Sequence, residues 1–168
     1  MKRRCWSSFG LVLAVLLLTT TFLAACKKKE NTPEDYLGGV NYDAPTALLQ
    51  YRVDEEGEWL DYREVKDLDK LLNSTGLPVV LCIRQHRDYA APIVIPQMEE
   101  WAVQYHDKAY FIFTYVNESS YILDQLEVHV TPTFYLLQNG SKIMYASWEE
   151  ENALVLLQDA LDKRVKEE

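Results

Sequence analysis

Apolar and polar positions alternate along the chain in blocks that predict a run of short elements. Leu49–Val53, followed by the acidic turn Asp54–Glu58 and Trp59-Leu60, has the look of an opening strand and its exit. Val65, Leu68, Leu71 and Leu72 recur at helical spacing, which predicts a helix over Glu64–Asn73. Gly76 and Pro78 then stop it. Val79-Val80-Leu81-Cys82-Ile83 is continuously apolar, as a strand covered on both faces must be. Val94, Met98, Trp101, Ala102 and Tyr105 form a second helical stripe, with Pro96 inside it to bend it. Tyr110–Val116 is rich in aromatic and β-branched residues and predicts another central strand. Asn117 can cap a short helix reaching about Glu127.

The last third continues the alternation. Phe134–Leu137 and Lys142–Tyr145 flank Asn139-Gly140, whose two residues both accept the positive φ that a tight hairpin needs. Ser147-Trp-Glu-Glu150 has capping-box spacing ahead of Leu154, Leu157, Leu161 and Val165, an amphipathic terminal helix. The expected order is β-α-β-α-β-α-β-β-α. Strands that alternate with helices imply a parallel sheet, and the hairpin adds an antiparallel edge.

The start of the chain obeys other rules. Lys2-Arg3-Arg4 precedes an apolar run from Phe9 to Leu18, diluted by Thr19-Thr20-Thr21 and closed by Ala24-Ala25. That three-part pattern is a secretory signal, too weakly apolar for a retained anchor. Leu23-Ala24-Ala25-Cys26 resembles the lipobox of bacterial lipoproteins. The resemblance implies cleavage before Cys26 and a lipid on its sulfur. It also implies a place in the bacterial cell envelope, on the extracytoplasmic face of a membrane. Residues 1–25 are thus expected to be signal peptide, 26–46 the lipidated Cys and a flexible tether, and 47–168 the folded domain.

Removing the signal changes the charge. The chain has 17 basic and 26 acidic residues, and the signal holds three of the basic ones and no acid, so the remainder carries 14 − 26 = −12. A nucleic-acid partner is not expected of so acidic a chain. A hydrophobic content of 48% nonetheless excludes a disordered polymer. Of three cysteines, Cys5 leaves with the signal and Cys26 takes lipid, so Cys82 has no partner for an intramolecular disulfide.

Thr131-Pro132-Thr133-Phe134 followed by Asn139-Gly140, and the ungapped strand–loop–helix–strand from Pro78 to Val116, together resemble the thioredoxin family. The resemblance covers about Ala47 to Glu168. It implies an α/β, three-layer thioredoxin-like fold: a central mixed sheet of about five strands flanked by helices, with a cis-proline loop at Pro132. The family's helix opens on Trp-Cys-Gly-Pro-Cys. Aligning Pro96 with the helix proline places Arg87-Asp88-Tyr89-Ala90-Ala91 there, with Asp88 and Ala91 in the sulfur positions. Thiol–disulfide exchange needs an attacking thiolate and a resolving thiol, and neither residue supplies one.

The expected module is therefore redox-inactive and needs no cofactor. A groove of His86, Arg87, Asp88, Tyr89, Ala90, Ala91, Thr131 and Pro132 remains for binding an exported protein or peptide, because backbone pairing before the proline requires no sulfur. The alternative is an enzyme acting through Cys82 as a single thiol, or through Asp88 and His86. Cys82 falls within an apolar strand and reads as core filler. His86, His129 and Asp88 lack a recognisable metal-ligand spacing, so no metal is expected.

Overall fold

The computed structural model describes residues 31–166. The expected signal peptide, Cys26 and the lysines after it lie outside the described residues. Among those described, no helix is long and apolar enough to cross a membrane.

Seven strands form one sheet in the order β1-β3-β2-β5-β4-β6-β7. They are β1 (Leu37–Val40), β2 (Thr46–Asp54), β3 (Gly57–Val65), β4 (Val79–Arg84), β5 (Tyr110–Tyr115), β6 (Thr133–Gln138) and β7 (Ser141–Ser147). The helices are α1 (Leu68–Ser74), α2 (Ala91–Gln104), α3 (Ser120–Gln125) and α4 (Ala153–Lys166). A 3-10 turn over Pro33–Tyr36 precedes β1.

The apolar run at β4 is explained by its position. It pairs in parallel with β5 on one side and antiparallel with β6 on the other, and layers of helix cover both faces. Successive residues feed two separate cores. Val80 and Cys82 join Phe111, Phe113, Phe134 and Leu136 beneath α2 and α4. Val79, Leu81 and Ile83 join Ile112, Tyr135 and Leu137 beneath α1 and the α3 region. The stripe Val94, Met98, Trp101, Ala102 and Tyr105 is buried throughout, as its spacing predicts. Pro96 lies inside α2. The hairpin forms at Asn139 (φ 50°) and Gly140 (φ 71°).

Several expectations need correction. The sheet has seven strands rather than about five, and β4–β5 is its parallel pair; all the other pairs are antiparallel. The opening strand and its exit are a nine-residue hairpin ribbon, with Asp54 opposite Gly57 at its tip. Only Thr46–Leu49 of that ribbon pairs with β5. Its outer half stands clear of the core, so Arg52, Val53, Glu58 and Trp59 are exposed and show no burial pattern to read. There Arg52 pairs with Asp61 at 2.9 Å, and Trp59 Nε1 donates to the same carboxylate at 3.1 Å.

The first helix begins at Leu68 rather than Glu64, because Asp67 caps it by accepting from the Lys70 amide at 3.1 Å. Glu64 and Val65 belong to β3. Ser119, not Asn117, caps α3, accepting from the Tyr121 amide at 3.1 Å. Ser147 ends β7 and its Oγ accepts from the Glu149 amide, so it closes a turn instead of capping α4.

The domain also starts before residue 47. Pro33–Val40, expected within the tether, is stitched to the sheet edge. Leu37 is buried opposite Val65, and Arg63 donates to the Gly38 carbonyl while its guanidinium pairs with Glu34 at 2.9 Å. The signal for this was Leu37 and Val40 around two glycines, too little for periodicity to register.

Candidate binding site at the end of the sheet

The two loops that carry the groove residues expected from sequence both lie at one end of the sheet. β4 ends at Arg84, and its loop runs through Gln85–Ala90 into α2. Antiparallel β6 begins beside that end, with Ile83 opposite Thr133. Thr131 and Pro132 therefore arrive next to the loop, and the Thr131–Pro132 bond is cis. The Pro132 carbonyl accepts from the Trp148 amide at 3.1 Å, which holds this loop to the end of β7. Among the described residues, none hydrogen-bonds the Thr131 backbone.

Asp88 fixes the turn into α2. Its Oδ1 accepts from the Ala90 amide at 3.0 Å, and its backbone carbonyl accepts from the Ala91 amide at 3.3 Å. Oδ2 is buried without a hydrogen-bond partner. Ala90 is buried, and Pro92 presets the first turn of the helix. Tyr89 is left outside at 75% exposure, with Ile93 at 57% one turn further on. Pro92 and Pro96 are exposed on the same helix. The result is an apolar rim beside the cis-proline loop.

Cys82 lies below this end, at 0% exposure, between Phe113 on β5 and Phe134 on β6. Burial pushes its thiol far above the ordinary range. The nearby Arg84 charge pulls it down less than burial raises it, and Asp88 adds a smaller push upward. The sulfur is protonated at neutral pH and has no path to solvent, which agrees with the filler reading of the sequence.

The structure divides the expected groove. Asp88–Ala91 and the Thr131–Pro132 loop both lie at the end of the sheet where β4 and β6 pair. His86 turns to the β5 side, where its ring lies 4.1 Å from that of Tyr115. Arg87 lines a cavity there with Arg84, Gln85, Tyr115 and Val116–Glu118. His129 does not approach His86; it lines a separate cavity with Glu127, Tyr135, Lys142 and Tyr145. Among the described residues, no three metal-ligating side chains come together. Neither Arg84 nor Tyr115 is among the groove residues expected from sequence; what brings them together is position, at the carboxyl ends of two adjacent parallel strands.

The sheet order, the opposed helix layers and the cis-proline loop define the class: a thioredoxin-like α/β fold. No family model matches the chain, and no curated protein matches it. Among solved structures the chain is similar to thioredoxin f from spinach chloroplast, at 20% identity over 58% of this chain and 78% of that one, TM-score 0.49. It is similar to a thioredoxin from Malassezia sympodialis, at 22% identity over 60% and 88%, TM-score 0.49. Thioredoxin from Trypanosoma brucei brucei gives 18% identity over 58% and 82%, TM-score 0.48.

Proposed function

We propose that this chain is an exported, lipid-anchored bacterial lipoprotein. Its thioredoxin-like domain binds an extended segment of another exported protein or peptide and carries out no thiol chemistry. The observation that carries this reading is the pairing of an unengaged Thr131 backbone with the exposed Tyr89–Ile93 rim, at the place where both sulfur positions have been lost. A strand-like segment would add its backbone to Thr131 and bury an apolar side chain against Tyr89. The buried Cys82 speaks against the single-thiol alternative, since no substrate sulfur can reach it. The lipobox at Leu23–Cys26 supports anchoring on the extracytoplasmic side of a membrane.

The test places a photo-crosslinking side chain at Tyr89 of the full chain in cells, with Val155 on α4 as an exposed control. Adducts confined to position 89, and mapping to an extended stretch of an exported protein, are expected. The same adducts from both positions would overturn the docking reading. Turnover of a disulfide substrate by the purified chain would overturn the redox-inactive one. Loss of acyl label on Cys26→Ala, and only then, would support the anchor.

A further inference from the structure

The β4–β5 junction is a point where the chain changes sides. β4 leads into α2, which packs on the face of Val80 and Cys82. Its parallel neighbour β5 leads into α3, which packs through Ile122 on the opposite face. Two adjacent parallel strands whose connections depart to opposite faces leave a crevice outside their carboxyl ends, and in open α/β sheets such crevices receive ligands.

A cavity of about 400 Å³ lies at this point, within the range of small-molecule sites. Both departing loops wall it, Arg84–Arg87 from β4 and Tyr115–Glu118 from β5. The Val116 amide donates to the Arg84 carbonyl at 3.1 Å, which ties the two walls, and the Glu118 amide donates to the Tyr115 carbonyl at 3.1 Å, which turns the second loop.

The charge of these walls runs against the rest of the molecule. In a chain of formal charge −9, two arginines and a histidine face one cavity with a single carboxylate, Glu118. Among the described residues, neither Arg84 nor Arg87 meets a carboxylate. The Arg84 guanidinium lies 4.3 Å from the Phe113 ring centroid and 5.5 Å from that of Tyr115, and its Nε is buried without an acceptor. An arginine held on aromatic faces with no internal anion is fixed in place by packing and keeps its charge for something else. Two guanidiniums less one carboxylate leave one net positive charge, which suits a monoanion better than a phosphate dianion. The flat faces of Tyr115 and His86 offer contact to a planar or apolar body.

We propose that this crevice binds a small organic monocarboxylate with a planar or apolar body, its carboxylate held by Arg84 and Arg87 beside Tyr115. The site is distinct from the peptide groove and stands whether or not that groove is occupied.

The test uses the full ¹⁵N-labelled chain in detergent, titrated with benzoate and, separately, with uncharged benzamide. Benzoate is expected to shift the amides of Arg84–Arg87 and Tyr115–Glu118 to saturation, and benzamide to leave them in place. Arg87→Gln, on an exposed loop, is expected to weaken benzoate by about tenfold, the loss of one charge-assisted hydrogen bond. Arg84→Lys keeps the charge but not the fork and is expected to weaken it too. Non-saturating shifts, an equal response to benzamide, or full affinity in Arg87→Gln would each overturn the proposal.

Discussion

If Cys82 is core and not chemistry, a thiol reagent reaches it only when the protein unfolds. The perturbation is alkylation of the folded full chain carrying Cys5→Ser and Cys26→Ser, so that one sulfur reports. Cys82 has 0% exposure and sits mid-strand between β5 and β6. No terminal fraying uncovers it, because sheet lies on both sides and α2 above. Labelling must therefore pass through global opening. An ordinary domain stability of about 5–15 kcal/mol, at 1.4 kcal/mol per decade, slows labelling by at least roughly 10³·⁵-fold relative to the unfolded chain. The assay is the rate of mass increase with iodoacetamide, folded against denatured, at neutral pH. Urea below the unfolding midpoint is expected to speed labelling in step with the fall in stability. Folded-state labelling within about tenfold of the denatured rate would refute the argument from burial and return a single-thiol enzyme to consideration.

Other outcomes follow from the same packing. Stability is expected to fall on the alkaline side. Burial raises the Cys82 thiol above its ordinary 9.0, and raises the Tyr135 phenol from 10.0 to about 12. The unfolded chain therefore loses these protons first. Below pH 9 their contribution is complete, and it drains away as pH rises from about 9 towards 12, which urea midpoints across that range would record. Leu157→Ala, in the wholly buried row that seats α4 on the sheet, is expected to cost about 2–5 kcal/mol in chemical denaturation. Ile93→Ser removes largely exposed apolar surface. It is expected to leave stability within about 0.5 kcal/mol while weakening crosslinks from the probe at position 89.

What could be read from the chain was what burial on both faces imposes. The continuous run at β4, the stripe of α2 and the Asn-Gly hairpin are each dictated by one strong local rule, and each is where it was expected. The full length of the β2–β3 ribbon and all of β1 were missed because their outer residues bury little, so their pairing leaves no apolar period. Register sets Thr131–Pro132 beside the end of β4 that leads into Asp88–Ala91. His86 could not be placed from sequence, because no local rule says which neighbouring strand a loop side chain faces; its ring lies against Tyr115 of β5. An arginine ending an apolar strand, as Arg84 does, looks like a solvated boundary, and only the rings of Phe113 and Tyr115 show otherwise.

The stitching of Pro33–Val40 to β3 has a consequence for how this domain avoids its own kind. β1 pairs with β3 at Leu37 and Val40, and the Asn41 amide donates to the Tyr62 carbonyl at 2.8 Å. A fragment beginning at residue 46 would strip that cover from the inner half of β3. It would leave Val65 bare and Arg63 without Glu34 and the Gly38 carbonyl. The bared backbone would be a template for a second copy, and edge-to-edge dimers or larger assemblies are the expected products. Pro33–Val40 thus acts as a guard on the open side of the sheet, and a protease that nicked it would bare a strand edge able to pair with a second copy.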